Sequence, residues 1–406
     1  MRILHLISSL EPSGDSARLR TLLKASLTSE SDEEACVFTL APISANSRKK
    51  TEGGVPSERL RLREIPSHFN PELFWQSLRM LRKLRFRPDV IHVWSSAWLR
   101  PGFHLAKWLK AKSVATLRHA DPNQLPFSPI LSRFDHLITN SSGIRTAYES
   151  RGIHGRWTLI PDVLPPEAAR LFLPNSENRP SVPNPSVPSI PTPSSTLSNS
   201  SPTQPRTGLR QELHLPDESV LAACVGPIAE WKRWQWAVWS IDSIVRVHPE
   251  MHLLFFDPGL ENRRERSLNS AQERERRSVA AFAHQYEREA IIHFLPFRED
   301  FYELLPQLDF FWSPQSVPGA GLALLEAAAA GIPILSPQLG GMTELLPSDA
   351  CAWLPENQTT ALASETHRLC VQPDRRELQI AQARQAAGRF SEAESLAADC
   401  RKLYEK

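Results

Sequence analysis

The chain has 406 residues, 41% of them hydrophobic, so it is long enough to fold into two domains that each have a sizeable core. Its 47 Lys and Arg residues nearly balance its 45 Asp and Glu residues, and the formal net charge is +2. This balance excludes a positive electrostatic potential over the whole protein surface. We therefore expect no nucleic-acid partner and look for local ligand sites instead.

Five cysteines are spread along the chain without CxxC spacing: Cys36, Cys224, Cys351, Cys370 and Cys400. This pattern predicts neither a disulfide framework nor a zinc site, and a reducing cytosol fits it best. The apolar start, 2–7, contains His5 and lacks a small-residue cleavage pattern, which favours a core strand over a signal peptide. No later run approaches the ~20 apolar residues of a spanning helix. We therefore expect a cytoplasmic protein, with peripheral contact to the inner face of a membrane as an open possibility.

Residues 1–170 are predicted to form a Rossmann-like domain. A strand over 2–7, a loop with Gly14 and a helix over 17–27 make the opening unit of a doubly wound sheet. Gly14 either approaches a ligand or is an ordinary turn residue. After a strand at 35–40, an irregular polar stretch leads to the next helix. Later strands are predicted at 88–96, 113–119 and 157–163.

A helix predicted over 71–85 has apolar residues on one stripe and four cations around the rest: Arg79, Arg82, Lys83 and Arg85. A surface helix that covers the sheet explains this pattern. The alternative is a face that meets a lipid-borne or anionic acceptor.

His119 ends the predicted strand 113–119. In open parallel sheets the ligand crevice lies beyond the carboxyl ends of the strands, so His119 is a candidate site residue. A structural histidine is the alternative.

From 171 to 207 the sequence is mostly Pro, Ser, Asn and Thr, with almost no apolar side chains. Such a segment buries too little surface to offset the entropy of its own ordering. We predict a disordered insertion at the interdomain linker, either a passive spacer or a segment that is phosphorylated or bound by a partner.

Residues 208–388 are predicted to form a second Rossmann-like domain. A strand ends near Gly226, and Lys232 starts the following helix, where its ammonium either meets an anionic ligand or is solvated. The tryptophans at 231, 234, 236 and 239 do not share one helical face, so we expect most of them to pack and some to line a surface or cleft. The arginines between 261 and 290 alternate with glutamates, which favours a salt-bridged outer face over an RNA site.

The stretch 309–341 is predicted to be a strand, a glycine turn, a helix over 322–330, a second strand and a second glycine turn. Two glycines let a ligand approach the backbone, and the N–H groups at the start of the following helix favour a diphosphate. Glu326 is held on that helix near the turn. The residues predicted to bind the ligand here are Pro318, Gly319, Ala320, Gly321 and Leu322.

Three segments, FLPFREDFYELLPQLDFFWSP, PGAGLALLEAAAAGIPIL and GGMTELL, resemble the donor-nucleotide half of the glycosyltransferases of family 4. The resemblance covers nearly the whole chain apart from 171–207 and part of the arginine-rich segment. It implies an α/β protein with the GT-B fold, in which two doubly wound Rossmann-like domains face each other across a cleft. The first domain, 1–170, would then be on the acceptor side and the second, 208–388, would bind the nucleotide-sugar donor. It also implies that the final helix, within 389–406, returns to the first domain.

The family pattern places two acids around the turn and helix of the donor site. Glu326 fills the second position, which holds the nucleotide ribose, whereas Pro318 stands where the first acid contacts the donor sugar. Proline has neither a side-chain acceptor nor an N–H group, so this contact cannot be made by residue 318.

The remaining site residues follow from the same resemblance. Gly226 and Lys232 match the family pattern G-R-L, three residues, K, in which Pro227 replaces the arginine. His119 matches the histidine beside the donor sugar, and Gly14 matches one of the paired glycines at the mouth of the cleft. The predicted catalytic residues are His119 and Lys232.

The resemblance implies a metal-independent retaining glycosyltransferase that needs no cofactor besides its substrate, a nucleotide-diphosphate sugar. The acceptor would be a glycan, a lipid-linked molecule or a small molecule. Because Pro318 and Pro227 remove an acid and a guanidinium, a catalytically silent GT-B protein that binds a nucleotide sugar, a glycan or a partner enzyme is the alternative. A sugar-nucleotide epimerase with the GT-B fold is a third alternative, which the sequence favours least.

Overall fold

The computed structural model describes residues 1–11, 13–28, 31–65, 70–119, 129–173, 208–258, 271–298, 300–319, 321–355 and 358–406. The segment predicted to be disordered lies almost wholly outside these residues, and so does Ala320. The described part of the chain forms two parallel sheets that are covered by helices.

The first sheet has seven parallel strands in the order β3-β2-β1-β4-β5-β6-β7. Its central strands are buried apolar runs, as expected for a sheet covered on both faces. The strands are β1 Arg2–Ile7, β2 Glu34–Thr39, β3 Leu60–Glu64, β4 Val90–Val93, β5 Lys112–Leu117, β6 His136–Thr139 and β7 Trp157–Leu159.

The second sheet has six parallel strands in the order β10-β9-β8-β11-β12-β13. In both sheets the strand order reverses beside the first strand, and this is where open α/β sheets bind ligands. The strands are β8 Val220–Val225, β9 Met251–Asp257, β10 Ile292–Pro296, β11 Phe310–Trp312, β12 Ile334–Pro337 and β13 Ala352–Leu354.

Fifteen α-helices are described. Those of the first part are α1 Gly14–Ser26, α2 Ala45–Glu52, α3 Asn70–Leu84, α4 Leu99–Leu109, α5 Ser142–Glu149 and α6 Pro166–Phe172. The others are α7 Leu209–Glu212, α8 Trp234–Ile244, α9 Ala271–Gln285, α10 Phe301–Leu304, α11 Leu322–Ala330, α12 Met342–Leu345, α13 Thr359–Val371, α14 Pro373–Gly388 and α15 Ala393–Glu405. None of these helices has the length and apolar character needed to cross a membrane.

Helix α1 begins at Gly14, three residues before the predicted start, because a capping box closes its first turn. The Ser13 hydroxyl accepts the Ser16 N–H at 3.2 Å, and the Ser16 hydroxyl accepts the Ser13 N–H at 3.0 Å. This cap fixes Gly14 at the mouth of the cleft.

Two segments connect the sheets, and they meet each other. Leu164, after β7, donates its N–H to the carbonyl of Phe390, after α14, at 2.7 Å. Leu164 and Ala168 are buried with the core of the second sheet, whereas the apolar face of α15 packs against the first sheet and α1. The domain boundaries given above remain a prediction.

Helix α15 is tied to the first sheet by a buried polar contact. Nδ1 of His92, on β4, lies 2.6 Å from the Tyr404 hydroxyl, and Nε2 lies 2.7 Å from the hydroxyl of Thr116 on β5. Burial lowers the pKa of His92 well below its usual value, so the ring is neutral and both nitrogens take part in hydrogen bonds.

Candidate functional site

The carboxyl ends of the central strands open onto a cavity of about 820 Å³ between the two sheets. The first part of the chain contributes the loop after β1, α1 and α2, and the second contributes the ends of β8 and β10, α10 and the start of α11. Four of the predicted site residues line this cavity: Gly14, Gly226, Leu322 and Glu326. Pro227 lines it as well.

Gly14 is required because the guanidinium of Arg118 lies against it. A Cβ atom at residue 14 would come within 2.7 Å of Nη1 of Arg118. Nη1 donates to Asp15 at 3.0 Å and Nη2 donates to Asp162 at 2.7 Å. A side chain on Gly14 would therefore displace the guanidinium that links the two aspartates.

Asp162 is the centre of this buried network. It also accepts from Arg18, and from the amide of Asn140 at 2.8 Å. Burial raises the pKa of the Asp162 carboxyl, but Arg118 and Arg18 outweigh that effect and bring the pKa down to about 2. The network fixes the segment that carries His119, and the sequence analysis missed it because its members come from separate strands and loops.

His119 and Gly319 meet across the cleft through their backbones. They form an isolated antiparallel β-bridge between the first and second parts of the chain. The His119 ring stacks on Trp231, with ring centroids 6.1 Å apart and planes 17° apart. The structure thus brings together two predicted site residues that are 200 positions apart in the sequence.

Trp231 lies at the cleft, as was expected of some of the four tryptophans between residues 231 and 239, although it was not among the predicted site residues. The ring faces His119, and the ammonium of Lys232 lies 4.8 Å from its centroid. The Trp231 ring also lies 3.6 Å from where a Cβ of Gly319 would be. The available signal was the position of Trp231, directly before the predicted ammonium.

Lys232 lies in a short 3-10 turn, Glu230–Lys232, before α8. Gly226 has a φ of +122°, and a Cβ there would lie 3.3 Å from Nζ of Lys232. Burial lowers the pKa of the Lys232 ammonium to about 8. No ion pair within the described part of the chain involves Lys232, which leaves its charge for an anionic ligand.

Glu326 is 6% exposed on α11 and accepts a hydrogen bond from the Tyr302 hydroxyl at 2.7 Å. Burial raises the pKa of the Glu326 carboxyl to about 7, against the opposing effects of Tyr302 and Arg118. Tyr302 lines the cavity too. The nearby N-terminus of α11 has no side-chain cap, and Leu322 and Ala323 expose it to the cavity.

The two departures from the family pattern occupy different places. Pro227 is exposed on the cavity wall beside Gly226, whereas Pro318 is partly buried and precedes the bridge residue Gly319. Neither proline supplies a hydrogen-bond donor, and Ala320 lies outside the described residues.

Ion pairs neutralise some of the other charges on the cavity wall. Lys24 pairs with Glu167 at 2.6 Å, and Arg298 pairs with Asp300 at 2.8 Å and with Glu212. Arg20 and Lys50 also line the cavity, and neither forms an ion pair with a residue that the structure describes. Across residues that the structure describes, no group of three or more His, Cys, Asp or Glu side chains is placed to hold a metal ion.

A second contact spans the cleft between α5 and α12. The Glu344 carboxylate accepts the Ser142 N–H at 3.1 and 3.2 Å, and it also contacts the Ser142 hydroxyl. A carboxylate at the start of α5 is favourable because the first N–H groups of a helix have no partner within the helix. With the His119 bridge, this contact holds the two halves together on one side of the cavity.

Structures of known glycosyltransferases have the same fold. Anabaena HepE in complex with UDP-glucose has a TM-score of 0.71 and 15% identity, covering 100% of this chain and 99% of that one. Sucrose-phosphate synthase from Thermosynechococcus elongatus has a TM-score of 0.73 and 17% identity, covering 100% and 98%. WaaG, a glycosyltransferase involved in lipopolysaccharide biosynthesis, has a TM-score of 0.66 and 14% identity, covering 100% and 99%. The predicted GT-B fold is confirmed.

No curated protein matches the sequence significantly. Two family models do, and together they match well over half of the chain. The Glycosyltransferase Family 4 model matches residues 35–167, and the model for Glycosyl transferases group 1 matches residues 205–386. With the GT-B fold and the arrangement of Gly226, Lys232 and Glu326 around the cleft, these matches show that the chain belongs to the group 1 glycosyltransferases of the family 4 type.

Proposed function

We propose that this protein is a retaining, metal-independent glycosyltransferase that acts in glycan biosynthesis in the cytoplasm. Its donor is a nucleotide-diphosphate sugar, and its acceptor is a glycan, a lipid-linked molecule or a small molecule. The observation that carries the proposal is the cavity between the sheets, where Glu326 and the uncapped start of α11 lie opposite Gly14. HepE, which shares the fold, binds UDP-glucose, which supports this donor class.

Each part of the donor has a matching group in the chain. Glu326 offers carboxylate oxygens to ribose hydroxyls, and Tyr302 orients that carboxylate. The N–H groups at the start of α11 and the ammonium of Lys232 face a diphosphate. The donor sugar would then lie near Trp231 and His119, which are next to Lys232.

Transfer breaks the bond between the anomeric carbon and the diphosphate oxygen and forms a bond from that carbon to the acceptor oxygen. Negative charge grows on the leaving diphosphate, and fixed cations and N–H groups stabilise it most in the transition state. The acceptor proton passes to the departing phosphate oxygen when the acceptor approaches on the same face, which gives retention. Lys232 and α11 supply this stabilisation without a metal ion.

A silent binding protein is the second candidate, and a specific observation favours it. The His119 ring and backbone already contact Trp231 and Gly319, and Pro318 and Pro227 lack the polar groups of the family pattern. A protein of this kind would bind a nucleotide sugar, a glycan or a partner enzyme without turnover.

Calorimetric titration of the protein with UDP, GDP and ADP sugars, followed by hydrolysis and transfer assays, tests both candidates. Binding with release of nucleotide diphosphate supports the transferase. Binding without turnover supports the silent protein. If no nucleotide or nucleotide sugar binds, the transferase proposal fails, and the silent protein is then not a binder of nucleotide sugars.

A further inference from the structure

Two tryptophans on the outer helices of the first sheet are largely exposed. Trp75 on α3 is 57% exposed and Trp108 on α4 is 60% exposed, and their ring centroids are 6.4 Å apart. Phe74 packs against both rings, with centroid distances of 5.2 and 6.1 Å, and joins them to the core. A contiguous exposed aromatic surface of this kind marks an interaction site.

The same part of the chain carries a net positive charge. Residues 70–110 contain eight Lys and Arg residues against Glu72 and Asp89, a net charge of +6. The whole chain has a net charge of +2, so all other residues together carry −4. The segment that bears the two tryptophans is therefore more positive than the rest of the chain.

On α3 the cations lie on the same side as Trp75. Trp75, Arg79 and Arg82 are spaced at i, i+4 and i+7, which places them on one helical face. Arg79, Arg82 and Lys83 are exposed, and none of them forms an ion pair with any residue in the described ranges. Glu72 accepts a hydrogen bond from Gln76 at 2.8 Å. The face thus presents uncompensated positive charge beside exposed indole rings.

We propose that this aromatic–basic face docks the protein on a bilayer that contains anionic phospholipids. The face consists of Phe74, Trp75, Arg79, Arg82, Lys83 and Trp108. Indole rings favour the boundary between headgroups and acyl chains, and Lys and Arg side chains beside them meet lipid phosphates. Charge complementarity selects an anionic lipid surface over a zwitterionic one.

Within the proposed glycosyltransferase, docking on a bilayer favours an acceptor that is itself held in the bilayer.

Vesicle co-sedimentation of the full chain tests the docking directly. The probes are vesicles of phosphatidylcholine alone and of phosphatidylcholine with phosphatidylglycerol, at low and high salt. We expect binding only to the anionic vesicles, weakening as salt rises. The double variant Trp75→Ala/Trp108→Ala and the triple variant Arg79→Gln/Arg82→Gln/Lys83→Gln should each bind roughly tenfold less tightly.

Matched controls come from the second half of the chain. Trp239→Ala removes another exposed tryptophan, 42% exposed, and Arg246→Gln/Arg277→Gln/Arg375→Gln removes three other surface charges. Both controls should bind as the wild type does. Brominated acyl chains should quench the tryptophan fluorescence of the wild type and of Trp239→Ala, and much less that of the double variant.

Three results would overturn the docking proposal: equal binding of the double variant and the wild type, equal binding to both vesicle types, or no vesicle binding at all. If the double variant instead turns an oligomer into a monomer without any effect of lipid, the face is an interface between copies. Nucleotide-sugar binding measured without vesicles tests the transferase separately, so either proposal can fail alone.

Discussion

His119 and Gly319 form a backbone β-bridge between the two halves of the chain. Gly14, Gly226, Leu322 and Glu326 line the open cavity, whereas Trp231 stacks on His119 at the bridge. Lys232 lies between the two groups, with Nζ 4.8 Å from the Trp231 ring centroid and 3.3 Å from where a Cβ of Gly226 would be. We infer that the nucleoside and diphosphate of a donor reach the cavity and Lys232 in this conformation, and that the donor sugar reaches Trp231 and His119 after the bridge parts.

Glu326→Gln should stabilise the fold and weaken ligand binding together. The folded-state pKa of Glu326 is about 7, above its ordinary 4.5, so the folded state binds more protons between these values and stability falls as pH rises through them. Glutamine avoids burying a charge and still accepts the Tyr302 hydroxyl. Urea unfolding should show a gain of up to about 3 kcal/mol at pH 8 and little at pH 4.5.

The same variant should bind nucleosides and nucleotide diphosphates less tightly than the wild type, because an amide has one acceptor oxygen for ribose hydroxyls. Calorimetry at pH 8 measures this loss. A stabilised variant with unchanged affinity would show that Glu326 is structural only.

Lys232→Ala should weaken binding of a nucleotide diphosphate more than binding of a nucleoside, with a loss of ~1 to 3 kcal/mol for the diphosphate. The pKa of Lys232 is about 8, so affinity of the wild type should also fall as pH rises through that value and the ammonium is lost. Lys232→Arg stays charged and should remove this pH dependence. Equal losses for both ligands would contradict contact between Lys232 and phosphate. Lys402→Ala, which removes an exposed lysine of α15, is the control.

Trp231→Ala should lower affinity for nucleotide sugars by roughly three- to tenfold and leave affinity for nucleotide diphosphates nearly unchanged, because the ring lies beside His119 where the sugar is expected. Competition binding with matched diphosphate and sugar ligands measures the difference. Trp236→Ala is the control, since its ring stacks on Arg233 at 4.1 Å on the next turn. An equal loss of affinity for both ligands would show that Trp231 stabilises the loop and does not contact the sugar.

Pro318→Glu combined with Pro227→Arg should raise transfer or donor hydrolysis if the protein is a weakened enzyme. The new acid and guanidinium would act on sugar position and on charge in the transition state. Steady-state assays with common nucleotide sugars measure the change. A double variant that stays inert, while the wild type still binds its ligand, would favour the silent binding protein.

The sequence predicted strands and local motifs well where the signal lies within a few residues. The bounds of β1 were predicted correctly because the strand is a largely apolar run. Gly226, Lys232 and Glu326 were selected as site residues from short patterns, and their roles remain predictions. Strand β3, Leu60–Glu64, was missed because it is a short edge strand in which leucine alternates with arginine. The alternation spans too few residues to stand out from the irregular polar stretch around it.

The contacts that organise the site could not be predicted in the same way. Arg118 reaches Asp15 and Asp162, and Trp231 meets His119, only because two sheets and several loops converge. The periodicity of a sequence does not predict contacts between side chains that are far apart along the chain.

The hydrogen bond between Leu164 and Phe390 joins the two segments that connect the sheets. Two connections fastened at one place act as a single pivot, so relative motion of the halves is restricted to rotation about it. The cleft then opens by hinge rotation and not by translation of one half away from the other. Helix α15 moves with the first half, and α6 moves with the second. Substitutions at this pivot would change how often the cleft opens and how fast product leaves, with every ligand contact intact.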